Sequence, residues 1–126
     1  FEAIITRYKS LINSKALVFI VSDFLYDLKE IESVLQKLNK QDVRLVQVLD
    51  PVEMDLNIEG DYRLEDLETS GVMKTYVSPV LRKKYLSLLQ EHNKQIKKFC
   101  NETGATFHSC STDTAPFQSI YDAIKN

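Results

Sequence analysis

Apolar positions along this chain recur in two periods, three-to-four and near-continuous, and their order predicts an α/β fold. From Phe1 to Ile12 the residues Phe1, Ile4, Ile5, Tyr8, Leu11 and Ile12 form the stripe of an amphipathic helix. Asn13-Ser14-Lys15 ends it. Ala16-Leu17-Val18-Phe19-Ile20-Val21 then runs without a polar residue and stops at Ser22-Asp23-Phe24. Such a run suits a parallel strand over 16–21 that is covered on both faces. Asp27, with Glu30 three residues on, predicts a capping box for a helix reaching about residue 39, with Leu28, Ile31, Val34, Leu35 and Leu38 inward.

Residues 43–49, rich in β-branched side chains, predict a second strand that Asp50-Pro51 stops, and strand, helix, strand makes a right-handed βαβ unit. Residues 54–77 break this rhythm. Glu59-Gly60-Asp61 and Thr69-Ser70-Gly71 are turn signals around Tyr62–Asp66, with Val72–Val77 beyond, so a short antiparallel hairpin is predicted. Ser78 and Pro79 open a long helix that Gly104 closes, with Leu81, Tyr85, Leu88, Leu89, His92, Ile96, Phe99 and Cys100 inward. Residues 105–110 predict a third strand and Ser111-Thr112-Asp113-Thr114 its exit loop. Pro116 opens a last helix with Phe117, Ile120, Tyr121 and Ile124 inward. The expected architecture is one domain over 1–126: a three-layer, Rossmann-like, partly parallel sheet with helices on both faces and a short antiparallel hairpin insert.

Composition narrows the function classes. With 126 residues, 44% hydrophobic and 27% charged, the chain has the make-up of a globular domain. Sixteen basic and 18 acidic residues leave a net charge of −2, which gives no field for nucleic acid. No apolar stretch reaches the ~20 residues that span a bilayer. Cys100 and Cys110 are the only cysteines and form no C-x-x-C pair, which suits free thiols and a cytoplasmic location. The chain starts without Met inside a predicted helix, as a segment of a longer protein would.

If the three strands are parallel and adjacent, Ser22-Asp23, Asp50-Pro51-Val52-Glu53 and Ser111-Thr112-Asp113 leave the sheet at one edge, where α/β proteins collect ligands. Asp23 is the leading candidate, with Ser22, Asp50, Glu53 and Asp113 as further rim candidates. Carboxylates and hydroxyls are the oxygen ligands that Mg²⁺ and Mn²⁺ take. Asp50 and Asp113 also suit plain strand stops or helix caps. Asp23 is harder to explain so, because Asp27 already stands ready to cap the next helix. His92 and His108 lack the spacing of a zinc pair and read as partly buried, hydrogen-bonded side chains. With three glycines in all there is no Gly-x-Gly-x-x-Gly, no phosphate loop and no Gly-x-Ser-x-Gly elbow.

Six segments in order carry a resemblance: Val21-Ser22-Asp23-Phe24, Val48-Leu49-Asp50-Pro51-Val52-Glu53, Gly60-Asp61-Tyr62, Asp66-Leu67-Glu68-Thr69, Leu81-Arg82-Lys83-Lys84-Tyr85 and Ser111-Thr112-Asp113-Thr114. Together they resemble the C-terminal half of the domain of unknown function 58 family, which is similar to von Willebrand factor A domains. The resemblance implies a doubly wound sheet carrying a metal-ion-dependent adhesion site, and work beside AAA+ ATPases of the MoxR type. It matches Asp23 to the adhesion-site Asp that follows the fourth strand, and leaves the Asp-x-Ser-x-Ser and Thr ligands without counterparts in this chain. It further implies that the 16–21 strand lacks a neighbour, so that either a homodimer or the first helix covers its edge. The leading expectation is a non-enzymatic interaction module that binds Mg²⁺ or Mn²⁺ in its complete form. The alternatives are a small metal-dependent enzyme of phosphotransfer or hydrolysis at Asp23, and a structural domain with an inert acidic rim.

Overall fold

A computed structural model describes residues 1–55, 61–66, 71–76 and 78–125. In chain order they form α1 (Glu2–Lys9), β1 (Leu17–Ser22), α2 (Leu28–Lys37), β2 (Asp42–Leu49), α3 (Pro51–Asp55), β3 (Asp61–Asp66), β4 (Gly71–Tyr76), α4 (Pro79–Thr103), β5 (Thr106–Ser111) and α5 (Pro116–Lys125). The main sheet has the order β1-β2-β5 and is parallel throughout. Ser22 stands level with Gln47, and Gln47 with Ser109, so all three chains leave the sheet at the same end. β3 and β4 pair antiparallel as a separate two-stranded sheet, Asp61 opposite Tyr76. The signals at Glu59-Gly60 and Thr69-Ser70, like Leu67-Glu68, lie outside the described residues.

The helices form where their ends are satisfied. Asp27 caps α2 by accepting the Lys29 N–H at 2.8 Å, and Ser78 Oγ caps α4 by accepting that of Leu81 at 3.1 Å. Gly104 ends α4 at φ 76°, a left-handed conformation that a residue with a Cβ adopts only at a cost. The reciprocal half of the expected box at α2 is absent, because the Glu30 carboxylate accepts the Glu2 N–H instead. α3 was not foreseen: Asp50-Pro51 stops β2 and at once starts a helix.

One face of the sheet holds the core. Ile20, Val43 and Leu45 pack with Ile31, Val34 and Leu35 of α2 and Leu38 just past its end, Ile96 and Cys100 of α4, and Phe24. α1 joins this layer through Phe1 and Ile5 and is tied to α2 by Glu2, which pairs with Lys37 and accepts the Ser33 hydroxyl at 2.7 Å. The opposite face is covered differently. Arg44 donates to the Ala123 carbonyl at 2.9 Å, and Ala123 is buried, so α5 lies against the β2 and β5 side.

Four expectations need correction. β1 is covered on one face only: Leu17, Phe19 and Val21 keep 51%, 37% and 61% of their surface exposed, on the outer face of an edge strand. α1 does not cover that edge, since it packs on α2, and its Ile4, Tyr8 and Leu11 are exposed. In α4, Leu81 and Leu88 point outward while the polar Asn93 turns inward. In α5, Ile120, Tyr121 and Ile124 are exposed and the small Ala123 is buried, while the side chain of Phe117 lies outside the described residues.

Candidate functional site

At the carboxyl end of β1 the chain makes a sharp turn, and each of its polar groups is held. The Ser22 hydroxyl accepts the Phe24 N–H at 3.2 Å and donates to Asp23 Oδ1 at 3.3 Å. Asp23 Oδ1 also accepts the Leu25 N–H at 3.1 Å. Phe24 stands at φ 55°, the left-handed region that a bulky side chain enters only under strain. Its ring compensates: it is fully buried, edge-on to Phe1 and Phe107. Phe24 is therefore an anchor, and the exposed Asp23 carboxylate beside it sits on a backbone with little freedom.

Beneath this turn lies a polar network inside the core layer. Gln47 has no exposed surface. Its Nε2 donates to the Asp23 carbonyl at 2.8 Å and to Asn93 Oδ1 at 3.0 Å, while its Oε1 accepts from Asn93 Nδ2 and Ser109 Oγ, both at 3.0 Å. Both donors and both acceptor positions of the amide are used, as burial requires. One residue along α4, His92 Nε2 donates to the Phe24 carbonyl at 2.7 Å. Gln47 and Asn93 were missed by sequence reasoning. The signal was present, since Gln47 breaks the otherwise apolar series Val43, Leu45, Leu49 on the inward parity of the central strand.

Two of the other rim candidates, Asp50 and Glu53, are occupied by local structure. Asp50 Oδ1 accepts the Val52 N–H at 2.9 Å, and Glu53 reaches back to the Asp50 N–H at 2.8 Å, the two halves of a capping box for α3. Asp50 Oδ2 also accepts the Thr112 hydroxyl at 3.4 Å, joining the ends of β2 and β5. Glu53 lies near α4, where burial first and its charge second push the Tyr85 phenol above its ordinary value. Asp113 stands exposed in the turn after β5. The β1–β2 register ends with Ser22 level with Gln47, three residues before Asp50 along the chain of β2. The structure thus places all the carboxylates at one end of the sheet but gathers no common cluster. Among the described residues no group of three or more His, Cys, Asp or Glu side chains is arranged to hold a metal ion.

The histidines divide. His92 is partly buried and hydrogen-bonded as expected, whereas His108 Nε2 on β5 is buried with no partner among the described residues. Cys100 and Cys110 are both free thiols, and burial pushes that of Cys100 up to about 12. No described helix is long and apolar enough to cross a membrane.

The sequence model of the family described as "Protein of unknown function DUF58" matches residues 3–95. The chain belongs to that family. The match takes in the Asp23 turn, Gln47, the Asp50–Glu53 cap, His92 and Asn93, and ends before β5. Similar curated proteins are uncharacterized: Mb1516 of Mycobacterium bovis and Rv1480 of Mycobacterium tuberculosis are each 26% identical over 99 residues, 79% of this DUF58 chain and 31% of theirs. The chain therefore spans about a third of the length of these relatives. No solved structure matches it.

Proposed function

We propose that this chain is part of a non-enzymatic protein-interaction module of the von Willebrand factor A type, its C-terminal half, in which Asp23 supplies one oxygen ligand to a divalent cation, Mg²⁺ or Mn²⁺. The observation that carries this reading is the Asp23 carboxylate. It is exposed at the carboxyl end of a parallel strand on a fixed turn, and both of its hydrogen bonds fall on Oδ1, leaving Oδ2 to a ligand. Asp50 and Glu53 are tied up as the two halves of the α3 cap, and both Asp50 oxygens already accept hydrogen bonds, from the Val52 N–H and the Thr112 hydroxyl. The described residues thus fit as one ligand and not as a whole site. The remaining ligands would come from elsewhere in the protein and from a carboxylate on a partner protein. A bound cation would supply the electrostatic anchor for that carboxylate. The partner class that goes with the resemblance is an AAA+ ATPase of the MoxR type.

The test is a thermal-unfolding titration with Mg²⁺ and Mn²⁺, run beside Asp23→Ala, because a ligand bound only by the folded form raises its stability. The expected result is a saturable rise in Tm that the variant loses, together with cation-dependent binding to a purified MoxR-type ATPase that the variant also loses. An identical response in Asp23→Ala overturns the role of Asp23. Turnover of an acyl phosphate or phosphate ester that disappears in the variant replaces the interaction reading with the enzymatic one.

A further inference from the structure

We infer that Gln47, Asn93 and His92 are positioning residues that fix the turn carrying Asp23, a role that deepens the reading of Asp23 as a cation ligand and rests on it. The argument starts from what the core does not need. A buried amide pair adds little over apolar side chains of the same volume, and a stability role alone does not require one. Yet Gln47 stands in the central strand between Leu45 and Leu49 on the inward face, level with Ser22 and Ser109. What its amide reaches is specific. One N–H goes to the Asp23 carbonyl, and the other three bonds hold the amide in the orientation that makes this possible.

His92 acts on the next peptide. Facing the Phe24 carbonyl, its Nε2 must be the protonated nitrogen, and the 2.7 Å bond holds the residue at φ 55°. Two successive carbonyls, those of Asp23 and Phe24, are thus held by side chains from β2 and α4. Elements distant in sequence, at 47 and at 92–93, agree on one strained turn. Strain of this kind persists only where its surroundings over-determine it, and it concentrates where a side chain must be presented in one direction. The Asp23 carboxylate is the group so presented.

The experiment is amide hydrogen exchange, which reports local opening separately from global stability. In His92→Leu the donor to Phe24 is lost, and the Phe24 and Leu25 amides are expected to exchange about three- to tenfold faster, the change that one hydrogen bond makes. The Leu45 and Val46 amides of the β2 ladder keep their wild-type rates. His92→Gln carries an amide N–H to nearly the same place and restores protection. Asn93→Leu, which frees the Gln47 amide, gives the same local change and serves if His92→Leu folds poorly. Unchanged exchange at Phe24 and Leu25 in both leucine variants overturns the inference, as does a uniform acceleration across the sheet. An Mn²⁺ titration of the same proteins separates this from the cation reading. If wild type responds to Mn²⁺, His92→Leu shows a weaker apparent affinity. If it does not, the cation reading falls while the exchange data still decide the positioning role.

Discussion

The two faces of the β1-β2-β5 sheet are built from alternate residues of the same strands, and they differ in what covers them. Ile20, Val43, Leu45 and Phe107 face α2 and α4, whose apolar stripes meet them in a continuous core. Leu17, Phe19 and Val21 face the other way and remain substantially exposed, while Val46 beside them is buried where α5 passes. An apolar cleft of about 290 Å³ lined by Val21, Val46, Val48, Cys110 and Ile120 marks where that cover gives out. An apolar strand residue is therefore stabilising only on the side where a helix stands. The Asp23 turn belongs to the closed side, since Phe24 plugs that core and Gln47 is sealed within it.

The largest effects should come from the closed face. Phe24→Ala removes a fully buried ring and should cost about 3–5 kcal/mol in urea unfolding. Phe24→Gly sharpens the point. Glycine loses the same ring but accepts φ 55° without strain, so it should be less destabilising than alanine by about 1 kcal/mol, the reverse of the usual order inside regular structure. If glycine proves the worse of the two, the turn is not strained. Leu45→Ala should follow at about 2–5 kcal/mol, because the surrounding α2 and α4 side chains cannot collapse fully into the space.

Which of these features were legible in advance follows the same division. The elements of the βαβ unit and the ends of α4 could be read because their signals are local: a stripe, a cap, a proline, a left-handed glycine. The parallel exit of Ser22, Leu49 and Ser111 followed from element order. Exposure of β1 could not be read from Leu17–Val21, because an apolar run is the same whether or not a helix lies over it. The inward stripe assigned to α5 failed for a related reason. Periodicity gave Ile120 and Ile124 a face, but among the described side chains of α5 it is Ala123 that is buried. At the rim, Asp50 and Glu53 carried their own explanation three residues apart. The hold on Asp23 did not, because it depends on Gln47 and Asn93, 46 residues apart in sequence.

The two cysteines test the comparison chemically, since Cys100 lies in the closed core and Cys110 lines the open cleft. Burial raises the Cys100 thiol from its ordinary value near 9 to about 12. The folded chain therefore holds this proton more tightly than the unfolded chain does. Below pH 9 both states keep it and stability is unaffected. As pH rises from about 9 towards 12 only the unfolded state releases it, so the contribution to stability is lost over that window. Urea unfolding at several alkaline pH values should show a fall in wild type that is shallower in Cys100→Ala. At neutral pH a thiol reagent should modify Cys110 well before Cys100. Equal rates would mean that the α4 side of the core opens as readily as the cleft.

The smallest effect is expected at Val21, where the comparison is easiest to break. Its side chain is 61% exposed, so Val21→Ala gives up little burial and should cost about 0.5 kcal/mol or less, against the several expected at Leu45. Measuring it at two protein concentrations adds a second reading. A monomer with an open face gives the same small cost at both. A larger cost that grows with concentration means that a second copy closes over β1, since association stabilises the folded form by mass action. A large cost independent of concentration would instead mean that the chain covers Val21 itself, and the contrast between the two faces would fall.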